Sequence, residues 1–448
     1  MAFSYQYVTL AQAQSDLGDR LYDAGIQWPG PELTLYIQEA LRTWNAFTSF
    51  WRGSFTFNLA GNSPWYDITN PVLNSIRQMT VTDGLLLQQI EAHFLEPISD
   101  AYPLGAWTGS AQFSFSDIIG AIQDKRDETL SSTGCTLTRL TPAPVAGKVV
   151  LPDTVLTIRR VAWLPDNNNQ GFVATPLHQS DVWASRAFDT NWTSSAPSVP
   201  TTWVQSSDPP LSFDVTRIPP YHGLFEVLTV NAGNALVATQ PTVLGVPDDW
   251  SWVIKWGAMT HLLGREGLAK DPLREQYCEQ RYQQGLELMR TTPALLELRV
   301  NNQPMPVDSV TNGDAFNPGW QGAAPAQPQS CYTAGLNLIA FAPMPGPVPG
   351  YTAFLSVIQN APVPVNQGDY LQVARSDYDS VMDYAQHLAM FKAGGAEFAA
   401  TIPLYQSFVK RAAQYNSQLS QMGAFQKPIY EISQLEEERN PTMAVDNG

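Results

Sequence analysis

The chain has 448 residues, of which 44% are hydrophobic and 15% charged, so it can bury substantial cores and form two to four compact units. Its net charge of −16 and pI near 4.7 disfavour nucleic acid and anionic membranes as partners, and no Lys or Arg lies between Arg299 and Arg375 to track phosphates. Cys135, Cys278 and Cys331 are too far apart in sequence for a disulfide scaffold or structural zinc, and are read as buried thiols. The N-terminus has no basic, apolar leader pattern and no run of about 18 apolar residues occurs, so no membrane association is expected.

From Thr9 to Leu21 the residues Leu10, Ala13, Leu17 and Leu21 fall on one side of a short helix. A second helix opens at Pro31 and Glu32 and places Leu33, Tyr36, Ile37, Ala40, Leu41 and Trp44 at helical spacing. SFTFNLAG and SPWYDIT alternate as strands, and Leu85–Phe94 and Phe115–Leu130 read as further helices. From Lys148 to Thr229, β-branched runs alternate with turns such as PDNNNQG and TSSAPSVP. A helix pair then runs from Pro247 to Arg290: Trp252, Trp256, Met259 and Leu263 form one face, Gly264 and Gly267 break it, and Pro272 opens the second helix. Tyr277, Arg281 and Gln284 suggest a partly exposed packing surface on that second helix.

This stretch recurs. A shift of 128 brings Asp249 onto Asp377, Trp256 onto Tyr384, Leu263 onto Phe391, Gly267 onto Gly395 and Tyr277 onto Tyr405. The same shift places Pro176, Val182, Ala187, Phe188 and Trp192 on Pro304, Val310, Ala315, Phe316 and Trp320. Between them Leu211–Val230 resembles Leu336–Ile358 at a slightly different shift, and three matching blocks in one order imply a duplicated unit of strands followed by a helix pair. After about Gln421 periodicity fades into an arm holding Pro428, Pro441 and the acids Glu436 to Glu438.

Candidate chemistry is sparse. His93, His178, His222, His261 and His387 are scattered without ligand spacing, and the usual nucleophile-elbow, phosphate-loop and dinucleotide motifs are missing. Asp248 with Asp249, and Asp377 with Asp379, could act as paired carboxylates, but their place at helix starts favours capping. Trp183, Trp192 and Trp203 share one loop-rich β region and could form a sugar platform, although packing or subunit contact is the commoner use of such rings.

The order of elements resembles the head-to-tail adaptor proteins of tailed bacteriophages. The resemblance rests on DRLYDAGIQWPGPELTLYIQEALRTWN, on VLPDTVLTIRRVAW with PLHQSDVWASRAFDTNW, and on the helix pair from Val246 to Met289, together covering about residues 7–290. Family members are usually shorter and end soon after the closing helices, whereas here a second strand-plus-helix unit follows. The resulting expectation is an α+β chain, a helical bundle with inserted antiparallel β domains and a duplicated strand-plus-helix-pair unit. Its divisions are 1–148 (helical, with short strands), 149–292 (β insertion and helix pair), 293–422 (second β unit and helix pair) and 423–448 (arm). By resemblance it is a non-enzymatic virion protein, a ring, dodecameric in the family, joining portal to tail or neck proteins while double-stranded DNA passes without specific binding. No cofactor or metal is expected. Ile429, Tyr430, Ile432, Leu435, Glu436, Glu437 and Glu438 are the candidate portal contacts. The alternative is a tail-associated, β-rich carbohydrate-binding protein.

Overall fold

The computed structural model describes residues 5–416 apart from 23–26, 62, 70–76, 95–111, 143–146, 166–174, 193–195, 207–210, 218–222, 238–239, 267–269 and 348–349. The chain opens with α1 (Leu10–Arg20), α2 (Gly30–Thr48), β1 (Arg52–Asn58) and β2 (Trp65–Asp67). A like series follows: α3 (Asp83–Phe94), α4 (Phe115–Thr133), β3 (Thr138–Leu140) and β4 (Lys148–Val150). Local chemistry fixes the starts. Thr9 and Ser114 each close a capping box, with Gln12 and Asp117 respectively, satisfying donors the first helical turn leaves free. α2 and α4 both have 19 residues and both end in a left-handed residue, Ser49 (φ 52°) and Gly134 (φ 59°).

Next come β5 (Val155–Pro165), β6 (Thr175–Ser180), α5 (Val182–Phe188), β7 (Thr202–Gln205), β8 (Ser212–Val215), β9 (Gly223–Asn231), α6 (Ser251–Leu263) and α7 (Pro272–Thr291). Their counterparts are β10 (Glu297–Val300), β11 (Gln303–Pro304), β12 (Val307–Ser309), α8 (Val310–Phe316), β13 (Ser330–Ala334), β14 (Leu338–Ala342), β15 (Thr352–Ile358) and α9 (Tyr378–Met390). The short α10 (Gly395–Ala399) then interrupts the second helix pair before α11 (Ile402–Tyr415).

Strand connectivity is the same in both series. One sheet runs β3-β9-β5-β6-β7-β8-β4; the other runs β1-β15-β10-β11 and continues, across a break between β11 and β12, as β12-β13-β14-β2. Registers agree as well: Gln179 faces Trp203 as Val307 faces Cys331, and Val161 faces Val227 as Leu298 faces Leu355. The duplicated unit is therefore present, and it is larger than its strands and helix pair. Each sheet takes both edge strands from the N-terminal series, β3 and β4 or β1 and β2. The expected division at 148/149 runs through β4 and separates β1 and β2 from their partners β15 and β14.

The two copies are nested. An inner unit, residues 77–292, is continuous; an outer unit is assembled from residues 5–69 and 293–416 around it. Helices follow the same rule, α3 and α4 packing on α6 and α7, and α1 and α2 on α9 and α11. Both bundles share one continuous core that includes Ile37, Trp44, Ile90, Ile122, Trp256, Leu286, Leu388 and Phe408. Each sheet keeps its own core, around Trp163, Trp203, Phe213 and Phe225 in the inner unit and around Leu298, Phe341, Leu355 and Val357 in the outer.

Two expectations need correction. The sheets are not purely antiparallel, because β6 pairs with β7 and β12 with β13 in parallel. In each case a short helix, α5 or α8, carries the chain back to start the next strand in the same direction. The face of α7 read as partly exposed is buried, since Tyr277, Arg281 and Gln284 meet the outer unit.

Candidate functional site: the seam between the two units

Ionisable groups gather where the units meet, at three levels. At the helical level Lys255 of α6 donates to the Glu39 carboxylate of α2 and lies 2.9 Å from His93 Nε2 of α3. Burial lowers the Lys255 pKa against the pull of Glu39, and burial together with Lys255 pushes His93 well down, so His93 is the neutral partner. Lys255 also sits 4.3 Å above the Trp256 ring. Nearby, Arg281 of α7 donates to Tyr384 Oη (2.6 Å), Tyr405 Oη and Gln284 Oε1 (3.1 Å) and stacks over Phe47 and Trp252. Tyr277 lies 2.7 Å from His387 Nε2, whose pKa burial lowers to about 3. All these side chains are sealed from solvent, so the cluster ties helices together and offers a substrate no access.

At the middle level Asp249, just before α6, accepts from Asn45 Nδ2 (2.6 Å) and from Ala361 N (3.0 and 3.1 Å), both of the outer unit. Asp248 accepts from Thr80 and Val81. Neither caps its helix, contrary to the sequence reading: both carboxylates turn away to satisfy donors on neighbouring segments, which a one-dimensional pattern does not display. Asp377 likewise turns to Arg411 and Tyr415, and Asp379 to Arg20. Beside Asp249, the Arg77 guanidinium donates to the carbonyls of Ile358, Leu336, Pro293 and Ala294. The adjoining cavity, lined by Asn45, Arg77, Asp249, Trp250 and Asn360, has about 10 Å³ of free space, room for roughly one water and not for a substrate.

Burial pushes the Asp249 pKa up to about 7, against the opposing hydrogen bonds from Asn45 and Ala361. An unfolded Asp titrates near about 3.9, so the folded state holds a proton that the unfolded state releases between pH 4 and 7. The stability tied to this group is complete below pH 4 and is lost as pH rises to 7, by about 4 kcal/mol at most. Comparing urea midpoints of wild type and Asp249→Asn from pH 4 to 8 should show the variant gaining on wild type as pH rises. A difference independent of pH would refute the assignment.

At the β level Arg160 of β5 donates to Asp314 of α8 (2.5 and 2.8 Å), to Glu226 (2.8 Å) and to Gln321 (3.0 Å). Glu226, fully buried on β9, also accepts from Trp65, Arg139 and Gln321. These contacts are one-sided. Asn45 of the outer unit meets Asp249 of the inner, whereas Asp377, the counterpart of Asp249, bonds only within the outer unit. At the middle and β levels the units therefore join head to tail through different faces, a heterologous contact, while at the helical level the equivalent Tyr277 and Tyr405 meet each other at 6.4 Å.

The candidate portal residues Ile429, Tyr430, Ile432, Leu435, Glu436, Glu437 and Glu438 lie outside the described residues. Of the three tryptophans considered for sugar, Trp192 and Trp203 are core residues, 7% and 2% exposed, and Trp183 alone is open at 80%. His178 and His261 are exposed and remote from His93 and His387 in chain and burial. Cys135, Cys278 and Cys331 are buried free thiols. No group of three His, Cys, Asp or Glu among the described residues could hold a metal ion, and none of the described helices is long and apolar enough to cross a membrane. Lys255 had a legible signal, a single lysine inside the apolar run from Trp252 to Met259; Arg77 had none. No protein-family model matches the chain, and no curated protein matches it.

Proposed function

We propose that the protein is a structural subunit of a tailed-bacteriophage head-to-tail adaptor, forming a ring beneath the portal and joining capsid to tail. The carrying observation is the head-to-tail seam between two like units of helical bundle and β domain, since heterologous contacts are the kind that generate rings. The clustered ionisable groups support a scaffold rather than a catalyst, because they are spent on bonds across that seam. The excess of acidic residues suits a lumen along which double-stranded DNA slides without specific binding. The portal and the tail or neck proteins are the proposed partners, and the virion neck is the proposed location. The carbohydrate-binding alternative is weakened, since two of its three candidate rings are packed inside.

Negative-stain images of the protein mixed with portal rings should show an added ring at one end of the portal. Deleting 424–448 should abolish that attachment while leaving the urea midpoint nearly unchanged, because the deleted apolar cluster is too small to fold alone. Absence of the added ring with the full chain rejects the adaptor reading; normal attachment of the truncated chain rejects only the role given to Ile429 through Glu438.

A further inference from the structure

The register of the two sheets identifies position for position what each unit offers the other. Arg160 stands opposite Leu228 on β9, as Glu297 stands opposite Ser356 on β15, so Glu297 is the outer unit's counterpart of Arg160. α5 and α8 coincide along their whole length, which makes Arg186 the inner unit's counterpart of Asp314. The ion pair that joins the units inside the chain thus has a second, charge-reversed version, and its two members do not meet within one chain.

Both members lie on surfaces whose counterparts are covered. The inner sheet's face around Arg160, Glu226 and Leu228 is buried, while the matching outer face presents Glu297, Arg299, Arg52, Ser54 and Thr56 to solvent. α8 is engaged through Asp314, whereas α5 stands free. Arg186 is exposed without a hydrogen bond or ion pair among the described residues. Where α8 carries Thr311, α5 carries Trp183, 80% exposed. One unit therefore keeps an unused plug and the other an unused socket.

We propose that a second copy of this chain fills them: α5 of one molecule docks on the open face of β1, β15 and β10 of the next, with Arg186 paired to Glu297. Among the described residues Glu297 pairs only with the solvent-exposed Arg299 of its own strand, at 2.6 Å, an arrangement that contributes little and leaves its second oxygen for the incoming guanidinium. The contact is confined to the β level, because Tyr277 and Tyr405, which meet at 6.4 Å at the helical level, are already buried. Since its two sides differ, it propagates from chain to chain. It supplies the lateral contact of the proposed adaptor and rests on that reading only for closure into a ring.

Sedimentation velocity of the full chain up to several hundred micromolar, in low salt, tests the contact. Wild type should self-associate, and Arg186→Glu or Glu297→Arg alone should weaken association by about a hundredfold through like-charge juxtaposition. Arg186→Glu combined with Glu297→Arg should restore it, and Lys410→Glu, a reversal of an exposed charge on α11, should leave it unchanged. Circular dichroism and thermal midpoints should be unaltered throughout, since both positions are open to solvent. Association of wild type that neither single reversal weakens, or that the double reversal fails to restore, overturns the docking while leaving the ring reading intact. A monomer at every concentration overturns it too, and the adaptor reading is then judged separately by its attachment to portal rings.

Discussion

Lys255→Met is expected to lower stability by about 3–5 kcal/mol, because it strands the Glu39 carboxylate as an uncompensated charge in the shared core of both bundles. Glu39 is buried and its Oε1 has no hydrogen-bond partner among the described residues, so its pairing rests on Lys255. His93 would lose its one hydrogen bond as well, as its Nδ1 is already unpaired. Adding Glu39→Leu should recover most of the loss, since a buried pair replaced as a whole by apolar side chains is often neutral. Urea titrations of the two single variants and the double variant measure this. A single variant as stable as wild type, or a double variant no better than Lys255→Met, would show that the pair does not hold the seam.

Arg77→Met should cost more than about 3 kcal/mol, because the buried carbonyls of Ile358, Leu336 and Ala294 and the part-buried one of Pro293 lose their donor and each buried unsatisfied group costs roughly 1–3 kcal/mol. The effect follows from position. Arg77 lies where the chain enters the inner unit, and it grips Pro293 and Ala294, where the chain leaves it, together with Leu336 and Ile358 of the outer unit. Burial lowers its pKa to about 10, still high enough to keep it charged at neutral pH. Arg77→Lys should rescue only in part, as an ammonium has three donors and no planar fork. Beyond the urea midpoint, limited proteolysis should show faster cleavage near 292–296 in Arg77→Met. Unchanged cleavage and a loss below about 1 kcal/mol would remove Arg77 from this role.

The recurrence was legible because identical residues at one spacing survive where packing demands them. Val182 and Val310 open equivalent helices, and Trp192 and Trp320 are buried at equivalent turns. Phe188 and Phe316 also match but are 94% and 86% exposed, so identity there reflects something other than the core. The carboxylates were misread. Asp248, Asp249 and Asp377 stand at helix starts, where capping is the local expectation, yet their hydrogen-bond partners lie far along the chain, Asn45 for Asp249 and Arg411 for Asp377.

The sequence alone determined what short-range periodicity encodes: the amphipathic helices, the alternating strands and the shift of 128 that relates the two C-terminal blocks. Only the tertiary structure decided that α1, α2, β1 and β2 belong with α9, α11, β15 and β14, because the 7-residue β1 and the 3-residue β2 have no intrinsic preference for a partner hundreds of positions away. Nesting, the head-to-tail seam and the open surfaces at Arg186 and Glu297 follow from that pairing. Long-range strand pairing is selected by burial of a whole sheet face, a cooperative quantity that no local stretch of the chain carries.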